Sequence, residues 1–142
     1  MIEELKALSI KQPYASLILY GKIETRNWFT EYRGDILICS SKTPFGLQDI
    51  QNISGLRQTN RIIDTLPGYF NTAPLGKAIA IGTLVQCRPM HKDDEDLCFV
   101  PWREDLWCWV FDNVRAIEPI PWRGQLGLVD VGDHIKSKIV WV

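Results

Sequence analysis

Between positions 9 and 28 the chain reads SIKQPYASLILYGKIETRNW, and this stretch gathers the polar side chains best spaced for chemistry. A strand is predicted over 23–28, following Lys22. Alternation puts Lys22, Glu24, Arg26 and Trp28 on one side and Ile23, Thr25 and Asn27 on the other. Alternate strand positions are roughly 7 Å apart, so long side chains placed there can converge on one ligand. Arg26 has the planar fork that clamps an anion with two hydrogen bonds. Glu24 can pair with either cation or accept from a ligand N–H, and nucleobase edges carry such donors. Lys22 can serve as a general base only where burial or a neighbouring cation lowers its pKa. Three charged groups on one strand face do not make a core. That face meets either water, as a row of surface ion pairs, or a polar pocket.

Lys11 and Gln12 stand just before a predicted helix. Pro13 suits the first turn, where its missing N–H costs nothing. Tyr14, Leu17, Ile18 and Gly21 keep a 3–4 spacing that sends one face to the core, and Gly21 ends the helix as a left-handed cap. Free N–H groups at a helix start favour an anion, which Lys11 and Gln12 can help to hold. The alternative is a plain helix start with a solvated lysine. Six tryptophans are many for 142 residues, and an indole N–H needs an acceptor when buried, so some are expected to line a pocket or groove. Tyr14, Trp28 and Trp109 are the candidates to stack on a planar ligand. Ser40 offers a hydroxyl at a strand end. It is a nucleophile only with a base nearby, and neither His91 nor His134 sits in a context that supplies one.

The elements that must position these groups are short. Strands are predicted over 7–10, 35–40 (DILICS, an apolar run that reads as buried), 77–88, 106–114 and 128–131, with a last one over 134–142. In KAIAIGTLVQCR the small residues Ala78, Ala80 and Gly82 share a face. A glycine inside a strand points to a close backbone approach or a barrel bend. Residues 118–127 (EPIPWRGQLG) read as a linker. Residues 43–74 read as a helical excursion, with helices over 45–53 and 56–66 broken by Gly55, Pro67 and Gly68, and a loop over 67–74 holding Tyr69 and Phe70. The run HKDDED at 91–96 lacks the glycine-punctuated spacing of a calcium loop and reads as a solvated loop. Short strands with one early helix predict an α+β chain: a small, mostly antiparallel, partly closed β-barrel with helical decorations, forming a single domain over 1–142.

Composition narrows the partners. The net charge of −1 gives no overall basic footprint, which argues against long duplex nucleic acid and leaves room for a local basic pocket. A nucleotide, an acidic small molecule or a short single strand suits such a pocket. The four cysteines lack CxxC spacing and form no ligand pattern with the two histidines, so no metal site is expected. No phosphate loop, nucleophile elbow or HExxH occurs, and no cofactor is expected. The start MIEELKALSI is acidic and lacks a long apolar run, and no membrane span is visible, so a reducing cytoplasm is the expected setting.

Taken together, these residues are similar to a known pattern. LSIKQPYASLILYGKIETRNW followed by YRGDILICSSK resembles the start of the ASCH domain, with Gln12-Pro13-Tyr14-Ala15 and then Gly21, Lys22, Glu24, Arg26 and Trp28 answering to its motif residues. AIAIGTLVQC and WVFDNVRAIEPIPWRGQLGLVDV resemble its later segments, which leaves 43–74 as a variable insert. The chain departs from the family's G-x-K-x-x-E-x-R spacing, because Lys22 directly follows Gly21 and Glu24 comes two later. The resemblance implies a β-barrel of the PUA-like kind and a cleft beside the early helix that holds RNA or a nucleotide-like ligand. It also implies an alternative, since some small relatives are amidohydrolases that deacylate the exocyclic amine of acetylated cytidine with a Lys, a Thr and a Glu. In that case Lys22 and Glu24 are the catalytic candidates. Glu24 stands where those relatives carry the Thr, and Thr25 is expected to point to the opposite face.

Overall fold

A computed structural model describes residues 2–66, 68 and 72–142. Six strands form one curled sheet: β1 (Lys6–Ile10), β2 (Glu24–Arg26), β3 (Gly34–Ser40), β4 (Lys77–Pro89), β5 (Trp107–Pro121) and β6 (Leu128–Asp130). They lie in the order β2-β5-β4-β3-β1-β6, and every pairing is antiparallel except β1 with β3. Among the described residues four α-helices decorate the sheet: α1 (Tyr14–Leu17), α2 (Leu47–Thr65), α3 (Glu95–Cys98) and α4 (Asp133–Lys136). Among the described residues no helix is long and apolar enough to cross a membrane.

The apolar run DILICS has a simple cause. Ile36 and Ile38 point into the core under α1 and α2, while Leu37 and Cys39 point into a second core on the other sheet face with Ile117 and Trp122. A strand covered on both faces needs no polar alternation. The parallel β1–β3 pair requires a crossover, and α1 and β2 lie within that connection. The crossover therefore carries Lys11, Lys22, Glu24 and Arg26 past the open end of β1.

The structure revises several expectations. The predicted early helix is one α turn followed by a 3-10 turn (Ile18–Tyr20), closed by Gly21 at φ 91°. β2 ends at Arg26, so Asn27 and Trp28 belong to the following turn. The long insert helix α2 is two helices joined at Gly55, whose φ of 77° and ψ of 168° interrupt the helical path where a break was expected. Half of the loop expected over 67–74, including Tyr69 and Phe70, lies outside the described residues. β5 runs on to Pro121 through the stretch read as a linker. The final strand expected over 134–142 is instead α4 followed by a single bridge from Trp141 to Ile117. Gly82 marks a register shift in the β4–β5 ladder, and a Cβ there would come 3.0 Å from Val114 Cγ2, so the close neighbour is a side chain. The HKDDED run is not a solvated loop throughout: it forms a 3-10 turn (Lys92–Asp94) leading into α3, and Asp94 is buried.

Candidate functional site

The turn after α1 delivers the central charged group. Lys22 N–H donates to Leu17 O at 3.1 Å and Ile23 N–H to Leu97 O at 2.9 Å, which pins both sides of the turn. The Lys22 side chain is thereby held inward at 1% exposure. Its Nζ donates to Glu24 Oε1 at 2.7 Å and to Ile23 O at 3.0 Å, and lies 5.6 Å from the centre of the Tyr14 ring. Pairing of β2 with β5 sets Glu24 opposite Trp109 and Arg26 opposite Trp107. Arg26 Nη2 donates to Ser9 O at 2.7 Å, tying β2 to the end of β1. Arg26 Nε lies 3.3 Å from Glu24 Oε2, near enough for charge attraction, yet it makes no hydrogen bond and is buried.

The electrostatics follow from this crowding. Burial is the largest influence on Glu24 and opposes its ionisation, but Lys22 and Arg26 together outweigh it and hold the carboxyl below its usual range. Burial pushes the Tyr14 hydroxyl up to about 12, partly offset by its 2.5 Å hydrogen bond with the Ser54 hydroxyl. Lys11, Tyr14, Lys22, Glu24 and Arg26 all line one cavity of about 460 Å³, together with apolar residues that include Ile53 and Leu126. That volume is in the range of small-molecule sites, and the lining has the usual composition of apolar walls with a few convergent polar groups. Among the described residues no group of three or more His, Cys, Asp or Glu side chains is placed to hold a metal ion.

With this geometry in place, comparison with known proteins adds a family. The family model for the ASCH domain matches residues 8–133, most of the chain. The chain belongs to the ASCH domain family. Its fold is similar to a solved structure, the crystal structure of ASCH from Zymomonas mobilis, with a TM-score of 0.56 and 11% identity over 94% of this chain and 92% of that one. At that identity the likeness speaks for the fold. Comparison with curated proteins gave no match.

In this ASCH domain the sequence candidates divide. Lys11, Tyr14, Lys22, Glu24 and Arg26 come together in the cavity. Trp28 stands outside it, half-buried on the wall of an adjoining groove. Three others are engaged elsewhere. Gln12 is 2% exposed; its amide donates to Ser16 Oγ and Pro74 O, and its Oε1 accepts from Ser16 N–H. It acts as a clip between the helix start and the insert. The anion cradle expected there is largely filled from within, since Ala15 N–H bonds Lys11 O and Ser16 N–H bonds Gln12 itself. Ser40 Oγ donates to Lys77 O and accepts from Lys77 N–H at the β3–β4 junction, away from the cavity. Trp109 is fully buried, with its Nε1–H on Trp28 O and its ring 4.7 Å from that of Trp28, so no ligand can stack on it.

The cavity also uses residues that sequence reasoning missed. Ile53 comes from the insert, Val100 follows α3, and Gly124 to Leu126 come from the loop before β6. Thr25 contributes to the lining although alternation assigned it to the opposite face. No spacing signal links these positions, because they meet only through the sheet. The one available cue was the glycine-flanked Gln125-Leu126, a polar loop with a lone leucine that is 98% exposed.

Proposed function

We propose that this ASCH domain binds RNA or a nucleotide-like ligand in the cavity beside its first helix. The observation that carries the reading is the convergence of Lys11, Lys22, Glu24 and Arg26 on one concave site rather than on a flat wet strand face. Glu24 is kept ionised by its two cationic neighbours and is suited to accept from a base-edge N–H. Arg26 and Lys11 are suited to an anionic group of the ligand, with Lys11 exposed at the cavity wall. Tyr14 offers an aromatic surface in the same cavity. Titration with nucleoside monophosphates and short single-stranded RNA at low salt tests the reading. Saturable binding that weakens about ten-fold or more in Arg26→Ala is expected, since hydrogen bonds to charged groups contribute roughly 1.5–3 kcal/mol. Undetectable binding at low salt, or an unchanged affinity in that variant, refutes it.

A second reading, an amidohydrolase acting on an acylated nucleoside, is favoured by one feature: the buried Lys22 amine lines the same cavity as Glu24 and Thr25. Water would cleave the amide to release a carboxylic acid and the free exocyclic amine. Incubation with acetylated cytidine decides it. Release of cytidine that disappears in Lys22→Ala supports the enzyme, and no release removes it.

A further inference from the structure

The cavity does not close at Arg26. A second concavity of about 550 Å³ shares the wall made by Lys11, Thr25 and Arg26 and continues past Asn27 and Trp28 to Arg103. The two parts differ chemically. The first holds the Glu24 carboxylate and the buried Lys22 amine, whereas the second has cations, an amide and an indole on its wall, with Arg103 itself paired to the Asp105 carboxylate at 2.6 Å. Trp28 is fixed by edge-to-face contact with Trp109 at 77° between ring planes, and it remains partly open to solvent.

Where the two parts meet, positive charge is left over. Lys11 is exposed and has no ion-pair or hydrogen-bond partner for its amine among the described residues, and the buried Arg26 Nε–H has no acceptor. Of Lys11, Lys22 and Arg26, only one charge is balanced by Glu24. A neutral nucleoside would leave these cations unmatched, and a mononucleotide would leave the Trp28 groove empty. A phosphodiester at the junction meets both demands, because it places one nucleotide on either side of a single negative charge. Resting on the nucleotide reading above, we propose that the site is built for an oligonucleotide. One nucleotide occupies the cavity, the linking phosphate lies at Lys11 and Arg26, and the neighbouring base packs on Trp28.

The test compares each nucleoside monophosphate with the matching single-stranded trinucleotide, and with a trinucleotide of equal charge that is abasic at its second and third positions. The intact trinucleotide is expected to bind about ten-fold tighter than the monophosphate, the scale of one base–aromatic stack. The abasic strand is expected to lose most of that gain. Trp28→Ala and Arg103→Glu are expected to remove the gain, and Arg103→Glu, which lies in the groove and not in the cavity, is expected to leave monophosphate affinity unchanged. Arg103 is exposed, so Arg103→Glu carries the test alone if Trp28→Ala fails to fold. A trinucleotide no tighter than the monophosphate overturns the two-part site and leaves the cavity reading standing. A gain that survives Arg103→Glu and abasic substitution also overturns it. If neither ligand binds, the cavity reading fails and this proposal fails with it.

Discussion

Two buried carboxylates in this protein have been given opposite surroundings. Asp94 is gripped by both Nη atoms of Arg88 at 2.8 and 2.9 Å, accepts His91 N–H at 2.8 Å, and lies 3.7 Å from the Cys108 thiol. Its acceptor sites are filled by protein, and neither partner lines the cavities described above. Glu24 has two cations, but one of them leaves a buried N–H without an acceptor, and all three groups face a void. Both carboxyls are held below their usual range, Asp94 to about 2 chiefly by the Arg88 hydrogen bonds, and Glu24 against burial, its largest single influence, which Lys22 and Arg26 together outweigh. Titration alone therefore does not separate a structural ion pair from a site. Unfilled hydrogen-bonding capacity facing a cavity does.

The closed pair is where breakage should harm the fold most. Asp94→Ala leaves the Arg88 guanidinium, His91 N–H and Cys108 thiol without their shared acceptor. Loss of one member of a buried pair costs roughly 3–5 kcal/mol, and about 3 is expected here because the Arg88 side chain is 28% exposed and can partly rehydrate. Urea unfolding measures this. Nucleotide affinity of the folded fraction should not change. The pH dependence has a definite sign. Asp94 has a depressed folded pKa, so its contribution is present above the unfolded value and is lost as pH falls. The loss should run from about pH 4 down to about 2 in the parent protein and be missing in the variant. A variant that unfolds at the parent urea midpoint would show that the closed pair contributes nothing net.

How far this contrast could be read from sequence depends on how local each contact is. Lys22, Glu24 and Arg26 were found by alternation because the pattern lies within five residues, and their convergence on one face needs only a short strand and its turn. Asp94 was read as part of a solvated loop because its partner, Arg88, sits six residues back on another element, and HKDDED looks hydrophilic without it. The same reason explains 118–121. Pro119 and Pro121 suppress any strand signal, yet the ladder shifts register between Ala78 and Ala80, so Pro119 falls where no regular pairing is broken, and Ile117 and Ile120 are buried against the second core. Trp109 was correctly placed in a strand and wrongly given to a ligand, because alternation cannot reveal that Trp28 covers its face. The α+β fold with a curled, mostly antiparallel sheet was legible in outline, since apolar runs such as DILICS record burial directly.

The open cluster should respond in the reverse manner. Lys22→Met keeps much of the apolar stem volume and removes the charge, and Glu24 retains Arg26 as a counter-ion, so no charge is left wholly unpaired. A stability loss of about 1 kcal/mol is expected, the scale of a lost hydrogen bond, together with at least a ten-fold loss of nucleotide affinity. Glu24 loses one of the two cations that depress it, so its carboxyl moves up. A depressed carboxyl contributes stability above its unfolded value and loses it as pH falls through the folded value. The Glu24 share of the acid-induced loss starts at the same unfolded value in both proteins, so in the variant it should be smaller and should end at a higher pH than in the parent. If Lys22→Met is destabilised as much as Asp94→Ala and binds nucleotide as well as the parent, the two carboxylates are both structural and the comparison collapses.

The smallest effect is expected where the geometry of the closed pair is repeated in water. Arg57 meets Asp96 with two nitrogens at 2.8 and 3.1 Å, nearly the fork that joins Arg88 to Asp94, and Gln58 donates to the same carboxylate at 2.9 Å. The difference is exposure: the Arg57 and Asp96 side chains are 69% and 49% open. Solvent replaces most of what the pair gains, and ordering two mobile side chains offsets more. Asp96 also keeps Arg61 at 3.8 Å and the Gln58 amide when Arg57 is cut back. Arg57→Ala should therefore unfold at the parent urea midpoint within error and bind nucleotide like the parent. A clear loss of stability would mean that this network clamps α2 onto α3 cooperatively. Bidentate geometry, rather than burial, would then explain the strength assigned to Arg88 and Asp94.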